Sequence, residues 1–276
     1  MGVCDSEDVN MTANNPVESA AARAAAATVG LPTEQRADAI EYAMAEALPP
    51  VPTRSMIYTS GDEDPTTYGA PMSAPGRIML MDQDPRLKPM PDKPTLMDFF
   101  RLRLRPTHQH MLQSAALAVK NGCNEKIAMT CLVHDFSVAG FIQADHGYWA
   151  AQLFEPYVDE EVTWAIRYHQ VLRFFADEAN GYPYPESYIK FFGPSYRPGK
   201  VMQEEYARAR NHKWYMSARH VTINDVYAFD PNKQIALDDF TDLIGRNFRQ
   251  PKEGLGNDHS PSAHMWRTII APTRFL

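Results

Sequence analysis

HMLQSAALAVKNGCNEKIAMTCLVHD, running from His110 to Asp135, decides how this chain folds. Its first half places Leu112, Ala116, Leu117 and Val119 at helical spacing, and its second half does the same with Ile127, Cys131 and Leu132. Two such helices packed together bring His110 to His134 and Asp135, although 24 residues separate the two histidines in sequence. A metal ion can sit between helices carrying those groups, since neutral imidazoles and carboxylates are the side chains that hold zinc, iron or manganese.

The same periodicity recurs around Leu96 to Leu104, His146 to Phe154, Asp159 to Phe175, Met202 to Tyr215 and Ile235 to Phe248, and no stretch alternates as a strand. The expected fold is therefore all-α. Before it lies an extension. Residues 12 to 30 are rich in Ala, Asn and Thr, and Pro49 to Pro75 is broken by Pro, Gly, Ser, Thr and Asp. Within that extension Pro32 opens one short helix, with Thr33 as N-cap and Ala37, Ile40, Met44, Ala47 and Leu48 as an apolar stripe that docks on the main body or on a partner. The expected division is residues 1–75 as extension and 76–276 as the metal-binding catalytic domain.

Composition narrows the function. With 276 residues, 44% of them hydrophobic and 22% charged, the chain can bury one sizeable core. Its 27 basic and 34 acidic residues leave a net charge of −7, which argues against nucleic acid or an anionic membrane as partner. Cys4, Cys123 and Cys131 form no CxxC pair, the first residues are acidic, and no run of about 18 apolar residues occurs, so a cytoplasmic location is expected. The sequence sets no oligomeric state.

Beyond the first helix pair the candidate ligands continue in order. His146 opens a helix with Trp149 and Leu153 on its inner face. His169 lies in the next, among Trp164, Ile166, Leu172 and Phe175. His134 and Asp135 are adjacent, about 100° apart on a helix, so the imidazole can hold one ion while the carboxylate leans toward a second. Asp225 offers a terminal carboxylate, with Asp230 as its rival.

His110 followed by Met111-Leu112-Gln113-Ser114-Ala115-Ala116, then Leu132-Val133-His134-Asp135, Asp145-His146-Gly147 and Ile166-Arg167-Tyr168-His169, resembles the HD-domain superfamily. Within it the chain is similar to the mixed-valent diiron oxygenases, the myo-inositol oxygenase and phosphonate-cleaving types, from about Leu96 to Asp230. The resemblance implies an HD-domain helical bundle holding two irons, one on His110, His134 and Asp225, the other on His146 and His169, with Asp135 shared. It implies O2 and a small hydroxylated substrate as reactants, with hydrogen abstraction from a C–H bond. Manganese or another divalent ion suits the same ligands. Where the phosphonate enzymes are basic, this chain reads Gln170-Val171-Leu172-Arg173, and Phe136-Ser137-Val138 follows the His-Asp pair where relatives tend to carry histidine or lysine.

Arg173, one helical turn beyond His169, is the expected catalytic cation, suited to an anionic substrate group. Lys190, Tyr196, Arg197 and Lys200 read equally well as an exposed polar loop. His108 is expected to face away from His110, and His212, His220, His259 and His264 lack ligand spacing. Gly254-Leu255-Gly256 is too short for a phosphate cradle. Two further functions suit the pattern: a metal-dependent HD-domain phosphohydrolase, in which two ions activate water on a phosphoryl group, and a non-catalytic metal-binding protein.

Overall fold

The computed structural model describes residues 16–46, 88–104, 108–142, 144–226, 228–230 and 232–270. Its α-helices are α1 (Pro16–Ala27), α2 (Thr33–Glu46), α3 (Leu96–Leu102), α4 (His108–Lys120), α5 (Glu125–Val133), α6 (Phe136–Gly140), α7 (His146–Phe154), α8 (Glu160–Arg173), α9 (Glu186–Phe192), α10 (Lys200–Arg210), α11 (Tyr215–Val226), α12 (Thr241–Asn247) and α13 (Ala263–Ile270). Among the described residues there is no strand, only a single antiparallel bridge between Asp177 and Tyr182. The expected all-α class is what the structure has. No helix among the described residues is long and apolar enough to cross a membrane.

The α4–α5 hairpin follows from local chemistry. Gly122 takes φ +73°, and its amide and that of Cys123 donate to the carbonyls of Val119 (3.1 Å) and Ala118 (3.0 Å), closing the end of α4. The Asn124 side chain then accepts from the Ile127 amide at 3.0 Å and starts α5. Rising about 1.5 Å per residue, the arms from His110 to the turn and from the turn to His134 are each roughly 14–15 Å long, so both histidines finish level at one end.

The pair α7–α8 repeats the scheme. Asp159 caps α8 by accepting from the Glu161 amide at 2.9 Å. His146 at the start of α7 returns alongside His169, two turns into α8. Helix α11 packs against α8, α4 and α5 and brings Asp225 to the same end.

Behind the site lies the core. Trp266 of α13, fully buried, meets the rings of Phe99, Phe136 and Phe154 at 4.7, 5.4 and 5.5 Å. The tail therefore caps the core, while His259 and His264 are exposed.

Several elements differ from the sequence reading. The Ala-rich stretch before Pro32 contains a helix, α1, which packs on α2, so the described residues of the extension hold two helices where the sequence predicts one. Thr33 is the first residue of α2 and not its cap. Ala47, Leu48 and the segment Pro49 to Pro75 lie outside the described residues. The helix expected from Met202 to Tyr215 ends at Arg210 as α10, and Tyr215 opens a further helix, α11, which carries Asp225. Buried on nearly every side, α11 has no amphipathic stripe to reveal it. Short α6 and α9 also escaped the periodicity, being less than two turns long.

Candidate metal centre

The six expected ligands converge. Asp135, at the junction of α5 and α6, points one carboxylate oxygen to each side. Its Oδ2 lies 3.5 Å from His110 Nε2 and 3.5 Å from His134 Nε2, and its Oδ1 lies 3.2 Å from His146 Nε2 and 3.5 Å from His169 Nε2. Asp225 Oδ1 joins the first group, 2.8 Å from His110 Nε2 and 3.5 Å from His134 Nε2. Two atoms bonded about 2.1 Å from one ion lie about 3.0–3.4 Å apart at right or tetrahedral angles, so these separations suit a first position on His110, His134, Asp135 and Asp225 and a second on Asp135, His146 and His169.

Three of the imidazoles are held by their other nitrogen. His134 Nδ1 meets the Cys131 carbonyl at 2.8 Å, His169 Nδ1 that of Ile166 at 2.6 Å, and His110 Nδ1 that of Ala228 at 3.2 Å. With Nδ1–H donated to a carbonyl, the free lone pair is on Nε2, which faces the carboxylates. Buried His110 Nε2, His134 Nε2, Asp135 Oδ1 and Asp225 Oδ1 make no hydrogen bond among the described residues. Carboxylates and imidazoles packed this closely out of water call for a cation between them, a proton on His110 or a metal ion in its place, so the donor set fits a metal pair.

The charges agree. Burial would raise Asp135, but the imidazoles of His134 and His146 hold it well below the usual carboxylate range. Burial opposes ionisation of Asp225 too, and Arg173 and His134 keep it low. His110 is disfavoured as a cation by burial yet pushed up to about 10 by Asp135 and Asp225, whereas burial drives His146 down to about 4. At pH 7 His110 therefore carries a proton that an ion must displace, and His146 does not. Ion uptake is expected to release a proton, and affinity to fall about tenfold per pH unit on acidification, which titration in weakly buffered solution checks.

His146 depends on tight local geometry. Asp145, before it, is the one non-glycine among the described residues with a left-handed backbone, at φ +54°. Gly147, after it, donates its amide to Gln170 Oε1 at 3.1 Å. A Cβ there would meet the Arg167 and Ile166 carbonyl oxygens at 2.9 and 3.1 Å. Gly147→Ala should push α7 off α8, cost about 1–3 kcal/mol in thermal or denaturant unfolding, and lower metal content at the second position.

Arg173 is also placed at the centre, with both ends of its guanidinium occupied. Nη1 lies 3.2 Å from Asp225 Oδ2 and Nη2 donates to Glu41 Oε1 at 2.6 Å. The sequence reading missed Glu41: it gave α2 a docking face, but Glu41 neighbours that face and no pattern distinguishes it from a solvated acid. It also missed Phe229, whose ring stacks on His110 at 4.2 Å, and Gln170.

The remaining candidates stand apart. Asp230 Oδ1 accepts from the Asn232 amide, and it is Asp225, not Asp230, that stands in the group able to hold an ion. His212 stacks on Trp164 at 4.3 Å. Lys190, Arg197 and Lys200 are exposed. Compared with models of protein families and with characterised proteins, the chain matches none.

Proposed function

We propose that the chain is a two-metal enzyme of the HD-domain diiron oxygenase type, using O2 to take hydrogen from a C–H bond of a small hydroxylated substrate. The observation that carries this reading is Asp135, each of whose oxygens faces a different pair of imidazole nitrogens. A carboxylate so placed holds two cations a few ångströms apart.

The two positions differ in a way that suits such chemistry. Four side chains surround the first and three the second, leaving more of the second for substrate oxygens. Exposure follows the same line: Asp135 and His146 are each 14% exposed, whereas His134, His169 and Asp225 are at 0%. Substrate therefore approaches along the Asp135–His146 side. Two irons bound here would supply the one-electron chemistry that O2 activation requires. The protein's share is to keep both carboxylates ionised, fix the imidazoles through their Nδ1 contacts, and shield the inner ligands from water.

Because Arg173 is engaged by two carboxylates, we assign it to holding Asp225 and not to gripping a substrate anion. That arrangement gives little support to the phosphohydrolase reading, which needs free positive charge beside the metals. The test is direct: iron-loaded protein should consume O2 with a small polyol or hydroxy-acid library and show a mixed-valent magnetic signal on partial reduction. Turnover of phosphomonoesters or cyclic nucleotides with Mn2+ in the absence of O2 would overturn the oxygenase reading.

A further inference from the structure

The N-terminal helix pair reaches the metal centre by two routes. Glu41 of α2 accepts a hydrogen bond from Arg173 Nη2 at 2.6 Å, and its other oxygen accepts from Ser187 Oγ at 3.3 Å. Beside it, Ile40 packs with Ala21 and Ala25 in a small cluster that Met44 and Phe229 complete, and Phe229 stacks on His110. Both routes end on ligands of the first position, Asp225 through Arg173 and His110 through Phe229. His146 and His169 face the other oxygen of Asp135.

Resting on the two-metal reading, we propose that Glu41 is a positioning residue for the first metal, acting through Arg173 on Asp225. Arg173 fixes the orientation of Asp225 by engaging Oδ2 and leaving Oδ1 toward His110 and His134. An uncompensated guanidinium there would also draw charge from Asp225 and place a cation beside the site of another. Glu41 cancels that charge, so Asp225 is both oriented and a full donor. A carboxylate buried at this point is unfavourable without such a partner, which ties docking of α2 to the state of the centre.

The test uses full-length protein loaded with Co2+, with release of each ion followed against a chromophoric chelator and the fold checked by far-ultraviolet circular dichroism. Glu41→Gln is expected to weaken one of the two ions roughly tenfold and leave the other unchanged. Glu41→Asp, which keeps the charge but withdraws it by one methylene, should weaken the same ion less and serves where the amide variant does not fold. Asp38→Asn is the control: Asp38 also docks α2, accepting from the Glu186 amide at 3.0 Å and Ser187 Oγ at 3.3 Å, without touching Arg173. It should retain both ions as the wild type does. Wild-type affinities in both Glu41 variants, or an equal loss in Asp38→Asn, would overturn the proposal. Wild-type protein that takes up no Co2+ would overturn this proposal and the two-metal reading together.

Discussion

Asp135→Ala is expected to strip both metal positions at once, taking bound metal from about two ions per chain to near zero. The reason is geometric: its Oδ2 serves the pair His110–His134 and its Oδ1 the pair His146–His169. Loss of any other ligand should be partial. Asp225→Ala should empty only the first position and His169→Ala only the second, because each faces one side of Asp135. Activity in Asp135→Ala should drop by far more than the roughly 10–100-fold typical of losing an outer-shell partner. Metal analysis of the three variants side by side decides the matter. Retention of one tightly held ion in Asp135→Ala would mean that the carboxylate does not bridge.

The largest expected effect on stability belongs to Arg219. It is fully buried in α11, and its guanidinium donates to the carbonyls of Leu172 and Phe175, each at 3.0 Å, and to Tyr215 Oη at 3.1 Å. Asp177 lies 3.7 Å from its Nε and accepts a short hydrogen bond from Tyr215, while the Tyr182 ring stacks at 4.6 Å. One cation thus satisfies the C-terminal end of α8 and ties it to α11, the two helices that carry His169, Arg173 and Asp225. Arg219→Ala removes these bonds and leaves Asp177 without its buried partner, which should cost about 3–5 kcal/mol. Arg219→Lys should recover only part, since a single ammonium cannot reach both carbonyls and the phenol. Denaturant unfolding measures both, and a loss below about 1 kcal/mol in Arg219→Ala would show that the network is replaceable.

What could be read in advance follows from where each signal resides. The helical class and the meeting of His110 with His134 were legible because apolar residues recur at helical spacing through α4 and α5, although the expected inner faces were only approximate: α5 is buried throughout from Ile127 to Val133, and Val119 of α4 is exposed. Most of the candidate set was legible because histidines are few, nine in the chain, and four of them lie where the α4–α5 and α7–α8 hairpins bring them level. Asp225 could be named, but its helix could not, since burial all round erases the stripe. Glu41 and Phe229 were illegible for another reason. They reach the centre only through Arg173 and His110, and such indirect contacts depend on how α2 and the segment after α11 pack, which no local pattern encodes. Arg173 shows the limit most clearly: spacing put it on the face of His169, but only the packed structure reveals two carboxylates already holding it.

The central claim is that one carboxylate divides two cations between two sets of imidazoles. Anomalous diffraction at the iron edge, on crystals of iron-loaded protein, tests it most directly. Two peaks about 3.5–4 Å apart, one beside His110, His134 and Asp225 and the other beside His146 and His169, with Asp135 between them, are the predicted result. A single peak, or iron only at sites away from Asp135, would contradict it.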